Sequence, residues 1–219
     1  MSIKIKSLTL GPFATNAYLV ADGRTKNAIL IDPVDDAPAI LRAAEEEGWT
    51  LKLMLATHAH LDHVLASAEI KRQLQIPFLI HRDCERLLDE IPLQGLYFGL
   101  GQLPPAAKPD RLLSSESEVI ELDSIRLRSL YTPGHAPGHL SFYLAEQKIL
   151  FSGDTLFAGS IGRTDLPGGD QDLLMRSIFE QLMILDDDVQ VLPGHMGATT
   201  IGRERLSNPF ILSYNADRF

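Results

Sequence analysis

Two periods of apolar and polar positions divide this chain into strands and helices. Residues 3–10 alternate apolar with basic or polar side chains, starting from Met1-Ser2, and residues 17–21 form a second strand beyond Gly11-Pro12. Asp22-Gly23 reads as a hairpin-type turn into a short strand over 28–31, which Asp32-Pro33 stops. Asp35 or Asp36 can cap a helix with Pro38 in its first turn, with Ile40, Leu41 and Ala44 as its apolar stripe and Gly48 as its end. The run 51–56 reads as a buried strand, a helix is expected from about His63 to Leu74, residues 77–80 form another strand, and His81-Arg82-Asp83 opens a further short helix.

Residues 91–110 break the pattern. Four prolines and three glycines remove any period, and Tyr97 and Phe98 fall where exposure is expected. An irregular stretch of this length inside a compact chain is often functional, so it is a candidate substrate lid. Strands then return over 119–122, 125–131, 140–144 and 148–151. A helix over 171–185 follows, apolar at Leu173, Leu174, Ile178, Leu182 and Leu185, and the last strand covers 189–192. The order is β-rich, α, β-rich, α, without a linker-like shift in composition. It fits an α+β domain over residues 1–219, with two sheets packed together and helices outside.

The chemistry concentrates at Thr57-His58-Ala59-His60-Leu61-Asp62-His63, where four metal-ligand side chains fall directly after the 51–56 strand. His58 and His60 are two apart and face one way in an extended segment, while Asp62 and His63 turn the other way. Partners stand at other strand ends. Thr132-Pro133-Gly134-His135 and Leu192-Pro193-Gly194-His195 each end a strand in a histidine, and Ser152-Gly153-Asp154 ends one in an aspartate. His58, His60, His135, Asp62, His63, His195 and Asp154 are too many nitrogen and oxygen ligands for one tetrahedral zinc. They suit two divalent ions about 3.5–4 Å apart. With no cysteine nearby, zinc is favoured and iron or manganese also fit. His139 is expected to support the ligands, and Asp32 can hydrogen-bond a ligand histidine. His81 lacks ligand neighbours and reads as a satisfied or surface histidine.

The 219 residues are 45% hydrophobic and carry a net charge of −9 with scattered lysines and arginines, which argues against nucleic acid or an anionic membrane as partner. Cys84 is the single cysteine, so no internal disulfide forms, and beside acidic residues it is expected to be inert. The N-terminus lacks the apolar core of a signal peptide and no run is long enough to span a bilayer, so a cytoplasmic location is expected.

The Thr-His-Ala-His-Leu-Asp-His stretch, the later histidines and Gly153-Asp154-Thr155-Leu156-Phe157 resemble the metallo-β-lactamase superfamily. Gly162-Arg163-Thr164-Asp165 and a tail containing Thr199, Thr200, Gly202, Glu204, Arg205, Asn208, Pro209 and Phe210 resemble its short glyoxalase II-like hydrolases. The resemblance covers essentially the whole chain and implies an αββα sandwich with a binuclear site at one edge. His58, His60 and His135 would hold the first metal, Asp62, His63 and His195 the second, and Asp154 would bridge them. Three departures stand out. Val64-Leu65-Ala66 replaces the usual small residues after the motif. The chain ends at Phe219, where larger glyoxalase II enzymes continue into a helical glutathione-binding domain. Arg163 matches the family's basic substrate-binding position, whereas Asp165 and Gly197 occupy its tyrosine positions.

The implied reaction is hydrolysis of a small-molecule thioester of S-acylglutathione type, such as S-lactoylglutathione, by a metal-bridging hydroxide held by Asp62 and Asp154. A thiol of pKa about 8.5 leaves without a strong general acid, whereas an amide nitrogen needs one and none is left over from the ligand set. The alternative is a persulfide dioxygenase with one iron on His58, His135 and Asp154. A β-lactamase is disfavoured by the tail, and a non-catalytic metal-binding module is the remaining class. Sequence leaves the acyl group, the thiol, the metal and the oligomeric state open.

Overall fold

The computed structural model describes residues 2–216; Met1, the first residue of the expected alternation, and the chain end at Phe219 lie outside the described residues. The first half runs β1 (Ile3–Leu10), β2 (Thr15–Asp22), β3 (Asn27–Ile31), α1 (Ala37–Glu46), β4 (Thr50–Leu55), α2 (Leu61–Val64), α3 (Ser67–Leu74), β5 (Phe78–His81), α4 (Glu85–Asp89), α5 (Ile91–Tyr97) and β6 (Arg111–Leu113). The second runs β7 (Val119–Leu122), β8 (Ile125–Tyr131), β9 (Leu140–Leu144), β10 (Ile149–Gly153), β11 (Leu156–Phe157), β12 (Ser160–Ile161), α6 (Gln171–Ser177), β13 (Gln190–Pro193), β14 (Thr199–Thr200), α7 (Ile201–Ser207) and α8 (Pro209–Ala216). Each half builds a six-stranded mixed sheet. The first has the order β1-β2-β3-β4-β5-β6 and the second β14-β13-β10-β9-β8-β7, with β11-β12 as a separate ribbon. The expected sandwich is what forms.

Strand β2 shows why. Its side chains are buried on both faces: Ala17, Leu19 and Ala21 pack toward Ile40 of α1 and Ile70 of α3, while Tyr18 and Val20 pack against Leu127, Phe142 and Phe151 of the second sheet. A strand buried on both faces reads as a continuous apolar run. The far face of the second sheet places Leu150 and Val191 against Leu174, Ile178 and Leu182. Helices therefore cover both outer faces, giving the α+β, αββα arrangement. Among the described residues no helix is long and apolar enough to cross a membrane.

Three local expectations need correcting. The helix expected from His63 to Leu74 is two helices, because the Ala66 amide turns away to the carbonyls of Pro33 and Val34 and the Ser67 hydroxyl donates to the Val64 carbonyl. The stretch 91–110 is not wholly irregular: its first seven residues form α5, where Pro92 sits in the first turn and removes no needed donor. The helix expected over 171–185 is α-helical only through Ser177 and then widens into a π turn over Ile178–Leu182. Of the two expected candidates for the α1 cap, Asp35 and Asp36, it is Asp36 whose carboxylate accepts from the Ala39 amide. The short β6, β11, β12 and β14 and the helices α7 and α8 were not foreseen.

Candidate metal centre

Every chemistry-bearing strand end falls on one edge of the sandwich. Asp32 follows β3, Thr57 to His63 follow β4, His135 follows β8, Asp154 follows β10 and His195 follows β13, with Thr15 opening β2 at the same edge. His58 Nε2 lies 3.1 Å from His60 Nδ1, which lies 2.9 Å from His135 Nε2. On the other side His195 Nε2 stands 3.2 Å from Asp62 Oδ2, and His63 Nε2 stands 3.6 Å from the same oxygen. Asp154 lies between the groups: Oδ2 is 3.4 Å from both His135 Nε2 and His195 Nε2, and Oδ1 is 3.4 Å from His63 Nε2. The ligand atoms of His58, His60 and His135, of His58, His63 and Asp154, and of Asp62, His63 and His195 each fall within 4.8 Å of one another.

The outward nitrogens of His58, His63, His135 and His195 are occupied, which fixes where their inward ones aim. His135 Nδ1 donates to the Arg163 carbonyl at 2.8 Å and His195 Nδ1 to the Phe13 carbonyl at 3.2 Å. His63 Nδ1 bonds Asp32 Oδ2 at 2.9 Å. Asp32 also accepts from the Thr57 amide and hydroxyl, and that hydroxyl faces His58 Nδ1 at 3.0 Å. One carboxylate thus orients two histidines, and Asp32 itself sits at φ 55°, a left-handed conformation that this network holds in place. His139 is not among the converging ligand atoms: its Nε2 accepts from the Asp154 amide at 3.0 Å, and its Nδ1 meets Thr132 and Thr155 hydroxyls. It fixes the backbone that presents Asp154.

The residues present fit cations. His63 Nε2 and Asp154 Oδ1 are buried and have no hydrogen-bond partner, although each points at the centre. A Cβ on Gly194 would collide with Asp154 Oδ1 and His63, so only glycine lets β13 approach this closely. Burial, reinforced by His63, His60 and His135, pushes the His58 imidazole down, and burial with His135 beside it takes His60 to about 3; both present neutral lone pairs. Burial also opposes charge on Asp62, but His63 and hydrogen bonds from His195 and Thr15 outweigh it and hold the carboxyl at about 2. Burial likewise opposes charge on His63 and His195, yet Asp154 and Asp62 raise both, His195 to about 10. The two carboxylates draw positive charge to this side, and cations would displace those protons. All the donors are nitrogen or oxygen, which suits zinc, iron or manganese.

Arg163 lines the cavity of about 340 Å³ over the centre, but its guanidinium forms a two-point pair with Asp165 at 2.7 Å for each bond. Its backbone carbonyl, rather than its charge, makes the direct contact with a ligand-type side chain. His81 is buried rather than at the surface, stacked on Tyr131 with its Nδ1 capping Asp83. Burial above all, with Asp83 beside it, pushes the Cys84 thiol up.

Several supports were missed in the sequence. Thr15 donates to Asp62 at 2.7 Å, Asn16 holds the carbonyls of Pro193 and Met196, and Tyr18 donates to the Pro193 carbonyl at 2.6 Å. The available signal was the polar start of an otherwise apolar strand, Thr15-Asn16-Ala17-Tyr18. Gln94, which accepts from the Leu61 amide and donates to the Ala59 carbonyl, had no signal at all.

Two mixed sheets enclosed by helices, with histidines and aspartates converging at one edge, define an αββα protein with a metal-binding centre. The family model of the metallo-beta-lactamase superfamily matches residues 10–195, and the chain belongs to that superfamily as a metal-dependent hydrolase. Hydroxyacylglutathione hydrolase GloC of Haemophilus influenzae is 41% identical over 97% of this chain and 99% of its own. Among solved structures, the BLEG-1 B3 metallo-beta-lactamase is 38% identical with a TM-score of 0.89, covering 95% of this chain and 99% of its own. TTHA1623, solved in a di-iron-bound form, is 38% identical with a TM-score of 0.85 over 94% and 99%.

Proposed function

We propose that this chain hydrolyses a thioester of S-acylglutathione type, S-lactoylglutathione being the reference substrate, with two divalent metals, zinc favoured and iron or manganese also fitting. The observation that carries the reading is Asp154. It lies between two groups of ligand side chains, within 3.4 Å of His63, His135 and His195, with one oxygen unpartnered. His58, His60 and His135 would hold one ion, Asp62, His63 and His195 the other, and Asp154 would touch both. When bound, such a pair supplies a water of lowered pKa and a Lewis acid for a carbonyl oxygen.

The chain's own part is positional. Asp32 and Thr57 hold His58 and His63 in register, His139 holds the Asp154 backbone, and Thr15 holds Asp62. Fixed donors keep reorganisation out of the reaction step. Among the described residues no lysine, tyrosine or glutamate lines the cavity over the centre. A thiolate needs no such acid, since thiols ionise near pH 8.5, whereas an amine leaving group does. The 41% identity to a protein named hydroxyacylglutathione hydrolase supports the same reaction class.

The test is S-lactoylglutathione hydrolysis by protein whose zinc, iron and manganese are assayed in the same sample. Rapid turnover with about two metals per chain is expected. No turnover with about one iron would instead favour persulfide oxidation at His58, His135 and Asp154.

A further inference from the structure

A second cavity adjoins the one over the centre. Leu93, Tyr97 and Phe98 of α5 and its end face Leu166 and Pro167 across a space of about 250 Å³. His60, Phe98 and Leu166 line both this space and the cavity over the centre, so the two adjoin along these residues. The α5 side is unusually apolar for a surface: Leu93 is 63% exposed, Leu96 56% and Tyr97 74%. Apolar side chains clustered against a polar centre mark a ligand-facing wall.

The wall is built in place. Gln94 accepts from the Leu61 amide at 2.9 Å and donates to the carbonyls of Ala59 and Leu87, so α5 is tied to the backbone on both sides of His60. A Cβ on Gly95 would collide with the Gly101 carbonyl and Leu103, so glycine lets the following segment close over the helix.

Charge narrows the occupant. Among the described residues, Arg163 is the only lysine or arginine lining the two cavities, and Asp165 already engages it; Glu90 adds a negative charge to the second cavity. A carboxylate or phosphate gains nothing there. Biological thiol carriers bear such groups, so the apolar carbon of a thioester lies on its acyl side.

We propose that the cavity between α5 and Leu166-Pro167 receives the acyl chain of the substrate and makes this enzyme selective for apolar acyl groups. The assignment rests on the thioester reading above. Metal-assayed protein is given S-acetyl-, S-butyryl- and S-hexanoylglutathione, with S-lactoylglutathione in parallel. The kcat/KM is expected to rise about fourfold per added methylene while the chain fits, because each buried methylene contributes that much. Leu93→Asp, at an exposed helical position, is expected to cut the hexanoyl-to-acetyl ratio about tenfold or more, with Tyr97→Ser as a second variant and metal content as the folding control. A flat acyl series alongside lactoyl turnover overturns the pocket assignment and leaves the thioester reading standing. A ratio unmoved in both metal-loaded variants overturns it equally. Hydrolysis of no thioester overturns both.

Discussion

Asp154 on the floor of the centre and Tyr97 on its rim belong to adjoining cavities, yet they are held in opposite ways. Asp154 is 6% exposed, its amide is fixed by His139, and its carboxylate faces three histidines that are each anchored from behind. Tyr97 is 74% exposed on a seven-residue helix whose side-chain tie to the centre is Gln94. A polar floor buried from water must satisfy nearly every donor and acceptor, so its geometry is over-determined. An apolar rim gains by burying carbon and tolerates many shapes. The floor therefore suits chemistry common to a superfamily, and the rim suits the choice of substrate.

The largest effect should follow Asp154→Ala. With two ions bound as proposed above, metal content should fall from about two to one or fewer per chain, and turnover should fall by about three orders of magnitude, as for loss of a charge-bearing group at a reacting centre. Retained turnover would sink the proposed mechanism and, with it, the distinction between floor and rim. Next comes Asp32→Ala, which touches no inward ligand atom. It frees His63 Nδ1, the Thr57 amide and the Thr57 hydroxyl together. Loss of such a supporting carboxylate should cost about 10–100-fold in metal affinity or activity. Titration with zinc against a competing chelator reads this directly, and unchanged affinity would show that Asp32 only fills space. Gln94→Leu should act on the rim alone: kcat/KM drops by about tenfold at most, metal content holds, and amide exchange over 91–98 speeds up. Metal loss in that variant would show that α5 is part of the floor.

That division also explains what could be read from the chain. Side chains that bind metals are few in kind, so His58, His60, Asp62 and His63 stand out at close spacing, and the Pro-Gly-His endings point to His135 and His195. The sandwich was legible because the middle of β2, residues 17–21, is a continuous apolar run and β9 is apolar but for Ser141, the mark of strands covered on both faces. Thr15, Thr57 and Asn16 were hidden because a threonine or asparagine beside a strand has many ordinary uses, and only register reveals what it meets. Helix α5 was hidden by its own composition: Pro92, Gly95 and Gly99 suggest a loop, and α5 is held by Gln94 and the packing of Gly95 rather than by helix propensity. The break at Ala66 is likewise set by distant carbonyls, those of Pro33 and Val34.

The smallest effect separates polar burial from metal chemistry. Asp22 lies at the opposite edge of the sandwich and is as buried as the floor, at 1% exposed. It accepts from the amides of Arg24 and Thr25 and from the amide and hydroxyl of Ser124, joining the β2–β3 turn of one sheet to the β7–β8 turn of the other. Those bonds, Ser124 first and Thr25 next, hold its carboxyl well below the usual carboxylate range. A depressed folded pKa contributes stability that is complete above the unfolded value near 4 and lost as pH falls through the folded value. Asp22→Asn places an amide donor against donors, so its melting temperature at pH 7 should drop by a few degrees while metal content and turnover stay at wild-type levels. The gap between variant and wild type should narrow as pH falls from about 5 to about 3, since the Asp22 carboxylate of the unfolded wild-type chain then takes up its proton while the folded one stays charged. Calorimetry of both proteins across that range gives the comparison. A constant gap would mean the hydrogen-bond geometry matters and the ionisation does not; lost metal would mean the two edges of the sandwich are coupled through the sheets.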